Sequence, residues 1–359
     1  MISRKTILVP GSGAIGSVAI PLIGRDPAVE GLMICDFDVV EPGNLAAQSF
    51  GTGDVGRKKA HAARDNVKSF RPELPVLAMT QEVEDLALAC FGGVVIACLD
   101  SDGPRQVAAE RTWMMGGTFI DCAVNGAAGL ARITTVPPAG GRGCFECAWD
   151  EQYERLAVRN SCAKVPPTNA PAALATLAAS HGALQLRRVL EEGPGTDTTE
   201  VVVSAGARHC SVIPRNPSCR FHHRALPVEM LTDATLDHTL GSLFDLLQAE
   251  AFSLPGFSFD RRVTCSKCGF SGETLRVNRQ TLAGPCPDCG ETLTGLAFLA
   301  ATMLQRSAVS PGDLHHTLGE IGLSAGDVVV PAGSHHGMQI GDPFASEAQP
   351  STTPVEIRS

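Results

Sequence analysis

The 359-residue chain has no excess of positive charge, no long apolar run and no leader-like start. Each absence excludes something. Lysine and arginine total 29 against 38 aspartates and glutamates, a net charge of −9. A basic face tracking nucleic acid is therefore not expected. No apolar run reaches the roughly 18 residues a membrane helix needs. The best candidate, AALATLAASHGAL, is interrupted by His181 and Gly182. No charged segment, apolar stretch and cleavage site precede the first strand-like run, so a soluble cytoplasmic protein is expected. Against these absences stand thirteen cysteines. In a reducing compartment they read as metal ligands or reactive thiols rather than disulfides. Hydrophobic residues make up 44% of the chain, enough for a core, and the length favours two domains or one large domain with an appendage.

Residues 6–10 and 31–36 read as strands flanking a small-residue helix at 12–24. An amphipathic helix from Gly56 to Ser69 is closed by Pro72. A strand at 76–80, a short helix near 82–90, a strand at 94–100 that is apolar on both faces, a helix, and strands at 118–126 and 131–138 follow. Runs apolar on both faces suit buried parallel strands. The alternation predicts an α/β, Rossmann-like, doubly wound and mostly parallel sheet. Residues 144–169 break the pattern as a polar crossing loop with three cysteines, and 170–191 form a long Ala/Leu-rich helix. That helix is a candidate dimer surface or an ordinary intrachain packing element. The expected division is an N-terminal domain over 1–225, a helical connector over 226–260, a zinc ribbon over 261–300, a small segment over 301–343 and a disordered tail over 344–359.

The ribbon follows from spacing. Cys265, Cys268, Cys286 and Cys289 give C-x2-C-x17-C-x2-C, and Gly269 and Gly290 follow the second cysteine of each pair. Glycine there lets the chain turn amide groups toward thiolate sulfur. With few apolar residues in the unit, a bound Zn2+ would supply folding energy. Cys144 and Cys147 form another half-site, for which Cys219 and His222 have ligand spacing. His223 is the adjacent alternative. Together they predict a second structural Zn2+ site of the Cys3His type. Cys90, Cys98 and Cys122 lie in apolar segments and read as core.

The N-terminal stretch KTILVPGSGAIGS contains GxGxxG as Gly11, Gly13 and Gly16, with Asp36 20 positions past Gly16. That pattern alone fits a dinucleotide. Its surroundings favour a triphosphate. Lys58 and Lys59 stand at a helix start, Asp100 ends a strand, and Arg105 lies on the next helix. A leaving pyrophosphate needs cations and usually Mg2+. Lys59 would bind phosphate, Asp100 would hold Mg2+, Asp36 would take the ribose hydroxyls, and Asn44 would reach phosphate. The competing reading is that Asp100 caps a helix and the lysines face solvent.

With these stretches in view — ILVPGSGAIGS, ICDFDVVEPGNLAAQSF, DVGRKKA, ACLDSDGPR, CFEC and NSCAKVPP — the chain resembles the ThiF/MoeB/ubiquitin-activating (E1-like) adenylyltransferase superfamily over about residues 5–225. The resemblance implies binding of Mg-ATP and adenylation of the C-terminal glycine of a ubiquitin-like or sulfur-carrier protein. It also implies a homodimer and a zinc held by two cysteine-rich pairs. By position, Gly11, Gly13, Gly16, Asp36, Asn44, Lys59 and Asp100 fall in the nucleotide site. Cys144, Cys147, Cys219 and His222 fall in the metal site, and Cys162 falls where a thiol would receive the activated group. The ribbon at 265–289 is an addition, a candidate surface for an E2-like conjugating protein. One departure is Ala47, in NLAAQ, where the family carries an arginine against the triphosphate. Arg57, Lys58, Arg4 or an arginine across a dimer interface are candidate replacements. A nonenzymatic zinc-containing scaffold and an NAD- or FAD-dependent oxidoreductase are the alternatives. A relative acting on a small molecule or RNA is a further alternative, with the acidic balance counting against RNA.

Overall fold

A computed structural model describes residues 3–137, 143–148, 171–193, 198–202, 206–279 and 284–344. The chain divides into two compact units, one of Ile2–Glu84 with Cys90–Ala225, the other of Asp85–Ala89 with Leu226–Ser359.

The first unit is built on eight strands: β1 (Thr6–Pro10), β2 (Gly31–Cys35), β3 (Val76–Met79), β4 (Val94–Ala97), β5 (Thr118–Asn125), β6 (Leu130–Val136), β7 (Thr198–Val202) and β8 (Ala207–Ser211). Their order is β3-β2-β1-β4-β5-β6-β7-β8. The first five are parallel and the last three add antiparallel. Every residue of β1, β2 and β4 is buried, as expected where helices cover both faces of a parallel sheet. Connections run outward in opposite directions from β1 and β4, so a crevice opens beyond their carboxyl ends.

Among the described residues, four helices belong to this unit: α1 (Gly16–Gly24), α2 (Lys59–Phe70), α3 (Asp102–Met114) and α4 (Ala172–Glu192). Along α4, Leu174, Ala175, Ala178, Ala179, Leu186 and Val189 enter the same core as Ile120, Cys122, Ala131 and Ile133. A Cβ on Gly182 would lie 2.5 Å from the Cys122 sulfur. The small-residue face of α4 is therefore used within the chain, and Cys98 and Cys122 are core residues as expected. The short helix expected near 82–90 is two 3-10 turns, Val83–Asp85 and Leu88–Phe91.

The second unit corrects the expected division. Residues 226–260 are not a helical connector. They contribute β9 (Val228–Met230), one eight-residue helix α5 (Leu240–Leu247) and β10 (Ala251–Ser253). With β14 (Met303–Gln305), β15 (Asp327–Pro331) and β16 (Gly337–Ile340) they form a sheet ordered β14-β10-β15-β16-β9. The chain on both sides of the ribbon thus shares one core, which includes Leu243, Phe244, Phe252, Leu304, Val329 and Ile340. The ribbon itself is β11 (Phe259–Thr264), β12 (Ser271–Val277) and β13 (Thr294–Gly295), in the order β12-β11-β13. Arg279, wholly buried, binds both Asp327 carboxylate oxygens and the Asp85 carbonyl, and lies 4.1 Å from the Phe257 ring centre. A guanidinium removed from water needs such partners on several sides. They explain why Asp85–Ala89 folds with this unit.

Candidate functional site

The glycine loop follows β1 at the crevice. Gly11 has φ +90°, and a Cβ on it would meet the Cys98 carbonyl at 2.5 Å. A Cβ on Gly16 would meet the Gly11 carbonyl at 1.8 Å. These two glycines let the loop fold upon itself and upon the end of β4. Gly13 differs, because nothing lies within 4 Å of its would-be Cβ. Its open side is the approach a ligand's phosphates need.

Asp36 follows β2, next to this loop. Its carboxylate accepts hydrogen bonds from the backbone N–H groups of Ser12 (2.6 Å) and Asp38 (2.9 Å). Burial raises its pKa, opposed by those bonds and by the charge of Lys59. Lys59 opens α2 with its side chain only 7% exposed, and its Nζ is 2.8 Å from Asp38 Oδ2. Asp38 itself is half exposed. Lys59 is therefore buried beside the loop against a carboxylate at its rim, not facing solvent. Asn44 lies in a 3-10 turn, Pro42–Ala46, where its Oδ1 accepts from the Glu41 N–H.

The cations considered for the place of Ala47 are engaged elsewhere. Arg57 pairs with Asp54 and Asp65, and Lys58 donates to the Phe37 carbonyl. Arg4 precedes β1, at the end of the strand opposite the glycine loop.

Asp100 is exposed just past β4. Arg105, in the first turns of α3, folds back so that its Nε and Nη2 both donate to the Leu99 carbonyl. Its Nε also lies 3.4 Å from Asp121, a wholly buried carboxylate on β5. Arg105 thus points into the protein beneath the turn rather than out toward a substrate.

The first cysteine cluster sits elsewhere in this unit. Cys144 precedes a 3-10 turn, Phe145–Ala148, that contains Cys147, and the Cys219 segment comes against it. The Cys144 sulfur is 3.8 Å from that of Cys147 and 3.7 Å from that of Cys219. A tetrahedral zinc with Zn–S bonds of about 2.3 Å separates its sulfurs by about 3.8 Å. The fourth group is His223, not His222. His223 Nε2 lies 3.2 Å from the Cys147 sulfur, and all four donor atoms fall within 4.8 Å of one another. His223 has φ +55°, a left-handed turn that swings its ring inward. His222 is used locally, stacked on Phe221 and accepting the Arg224 N–H. Burial lowers the His223 pKa, which favours the neutral ring a metal requires. An ion pair braces the same elements: Arg220 grips Glu146 at 2.6 and 2.8 Å and approaches Glu110 at 3.8 Å. Burial, then Glu146, pushes Glu110 up to about 7.

In the ribbon, Cys265 and Cys289 are 3.5 Å apart, as are Cys268 and Cys286, and the four donor atoms again lie within 4.8 Å. The two knuckles match. Gly269 and Gly290 adopt φ +79° and +74°, and their N–H groups return to the Cys265 and Cys286 carbonyls. The backbone N–H of Cys268, followed by that of Lys267, pulls Cys265 down to about 7, toward the thiolate that a metal binds. Both donor sets therefore fit zinc in number, softness and spacing. Cys162 lies outside the described residues. Asp38, Asp121 and the Glu110–Glu146–Arg220 group were not expected from the sequence. Only Asp38 carries a local signal, through its place in DFD two residues past Asp36.

Comparison with known proteins gives the family. The ThiF family profile matches residues 1–221. The SAMP-activating enzyme E1 of Haloferax volcanii is 26% identical over 229 residues, 61% of this chain and 80% of that one. The NEDD8-activating enzyme E1 catalytic subunit of Saccharomyces cerevisiae is 29% identical over 155 residues, 40% of this chain and 51% of that protein. The chain thus spans about half the length of the yeast relative. The crystal structure of E. coli MccB with ATP superposes with a TM-score of 0.49 at 16% identity, over 60% of this chain and 65% of that one. No helix among the described residues is long and apolar enough to cross a membrane.

Proposed function

The chain belongs to the ThiF family, and from that premise we propose that it is an E1-like adenylyltransferase. Its substrates would be ATP and the C-terminal glycine carboxylate of a ubiquitin-like or sulfur-carrier protein. The observation that carries this reading is the cluster at the crevice: open-sided Gly13 and buried Lys59 beside Asp36, with Asp100 at the end of the neighbouring strand. An oxygen of the carrier carboxylate attacks the α-phosphorus, the bond to the bridging oxygen breaks, and pyrophosphate leaves with that electron pair. The protein's part is positioning and charge neutralisation. Asp36 accepts the ribose hydroxyls. Lys59 can exchange its half-exposed partner Asp38 for phosphate oxygens, and Asn44 has its amide N–H groups left to donate. Mg2+, held by Asp100, would neutralise the charge that develops on the leaving group.

The missing family arginine bears on assembly. Arg57, Lys58 and Arg4 are occupied or remote, so a second copy of the chain is the source of cation that this reading favours, in a homodimer. Each cysteine cluster would hold a structural Zn2+. The ribbon is an available surface for an E2-like protein. The Cys162 thiolate would attack the acyl carbon of the adenylate, breaking its bond to the phosphate oxygen, so that a thioester forms and AMP leaves.

Incubation with ATP, Mg2+ and a small protein ending in Gly-Gly should yield the carrier adenylate, seen as added mass on the intact carrier. Lys59→Ala should reduce its formation by about 100-fold or more. Cys162→Ser should leave it unchanged while abolishing any reductant-sensitive adduct. Tight binding of NAD or FAD with no affinity for ATP would overturn the reading.

A further inference from the structure

Asp121 has a cost and no partner in the chemistry described above. It is wholly buried on β5, where the neighbouring positions Phe119, Ile120, Cys122 and Ala123 are apolar. Among the described residues, neither of its carboxylate oxygens has a hydrogen-bond donor. Its neighbours are Arg105 Nε at 3.4 Å and Arg132 Nη2 at 3.9 Å, with the charge of Asp102 also felt. A buried carboxylate held only by longer ion pairs is expensive, and a packed apolar side chain there would cost less. A reason for it should lie in what it holds.

It holds Arg105. That guanidinium stands between two anchors, the Asp121 carboxylate and the Leu99 carbonyl, which it grips with Nε and Nη2 together. Leu99 is the residue before Asp100. Arg105 therefore ties the first turns of α3 back onto the strand-to-helix turn that presents Asp100. Arg132 is two-fifths exposed and more distant, so Arg105 is the contact through which Asp121 acts.

The geometry points to Asp121 as a positioning residue for Mg2+: by locking Arg105 onto the Leu99 carbonyl it fixes the direction of the Asp100 carboxylate. The inference rests on the reading of Asp100 as the Mg2+ ligand. It assigns Arg105 the same indirect role, in place of direct catalysis. Partners that orient a metal ligand typically govern affinity by about 10- to 100-fold.

The experiment measures equilibrium binding of ATP to the full chain with Mg2+ and without added Mg2+, in buffer free of chelator so that the zinc sites are left intact, and takes the ratio of the two affinities. Asp121→Asn should lower that ratio about tenfold and leave the Mg2+-free affinity within about twofold. Arg105→Lys keeps the charge but cannot grip one carbonyl with two N–H groups. It should reproduce the loss, and the double variant should lose no more than either single one. If Asp121→Asn does not fold, Arg105→Lys alone carries the test. A Mg2+ ratio unchanged in these variants, with wild type showing a clear Mg2+ gain, overturns the inference and leaves the adenylation reading intact. A wild type that binds ATP without any Mg2+ gain overturns the Asp100 reading and the inference with it. Equal losses with and without Mg2+ would make Asp121 a stability residue only and overturn the inference.

Discussion

The two cysteine clusters, one of three cysteines and a histidine and the other of four cysteines, each gather their donor atoms within 4.8 Å, yet they are embedded differently. Around Cys144, Cys147, Cys219 and His223 lie Trp113, Phe119, Phe145 and Phe221, and the Arg220–Glu146 ion pair joins the same elements. The knuckle end of the ribbon has little else: its buried cluster is Val263, Cys265, Cys286 and Leu293, two of them ligands, while Phe259, Leu275 and Val277 at the other end of β11 and β12 join the core of the second unit. Removing metal from the first cluster leaves aromatic packing and a salt bridge in place. Removing it from the second would leave Val263 and Leu293 as the buried apolar residues of the knuckle end. A zinc ion would thus be a clip in one place and the main source of folding energy for the knuckles in the other.

That contrast can be broken most readily at the ribbon. Cys286→Ser should halve the zinc content and unfold the two knuckles around 265–269 and 286–290, read as new proteolytic cleavage there. Zinc-dependent folding is worth about 10 kcal/mol or more in small metal units, far beyond the remaining contacts. Cys147→Ser should also halve the zinc content, but at a cost of about 3–5 kcal/mol, because the surrounding packing survives. Its cleavage pattern should stay close to wild type. Equal sensitivity of the two variants would dissolve the distinction. A finer comparison sets His223→Ala, which should weaken zinc binding about 10- to 100-fold, against His222→Ala, which should leave stoichiometry and affinity unchanged.

The smallest effect concerns pH. Glu110 lies near 7 in the folded protein against an ordinary 4.5, raised first by burial and then by Glu146. Its folded value is above its unfolded value, so the fold favours the protonated acid. Stability is then lost as pH rises from about 4.5 through 7. Glu110→Gln should flatten that part of the profile, by on the order of 1 kcal/mol once solvent screening is allowed for. Melting temperatures at pH 5 and pH 8 check it.

The same contrast explains what could be read from sequence. The ribbon and the glycine loop are legible because their ligands and glycines lie close along the chain and their turns demand glycine. The parallel strands are legible because burial on both faces leaves runs such as VVIAC. The choice between His222 and His223 is not legible, since adjacent residues point apart and a single left-handed residue decides which ring faces inward. The second sheet is hidden for a related reason. β9, β10 and β14 have three residues each, and their partners lie far away across the ribbon. Such strands carry no periodic signal, and nonlocal pairing has no local signature. Asp121 sits in an otherwise apolar strand, and only its neighbours in space give it meaning.

The account stands on phosphate chemistry at the crevice, and ATP–pyrophosphate exchange measures that step directly. With Mg2+ and a carrier ending in Gly-Gly, wild type should return labelled pyrophosphate into ATP, and removal of the carrier's terminal glycine should stop it. Exchange that is absent with every such carrier, from a protein that retains its fold and its metal content as purified, would contradict the account.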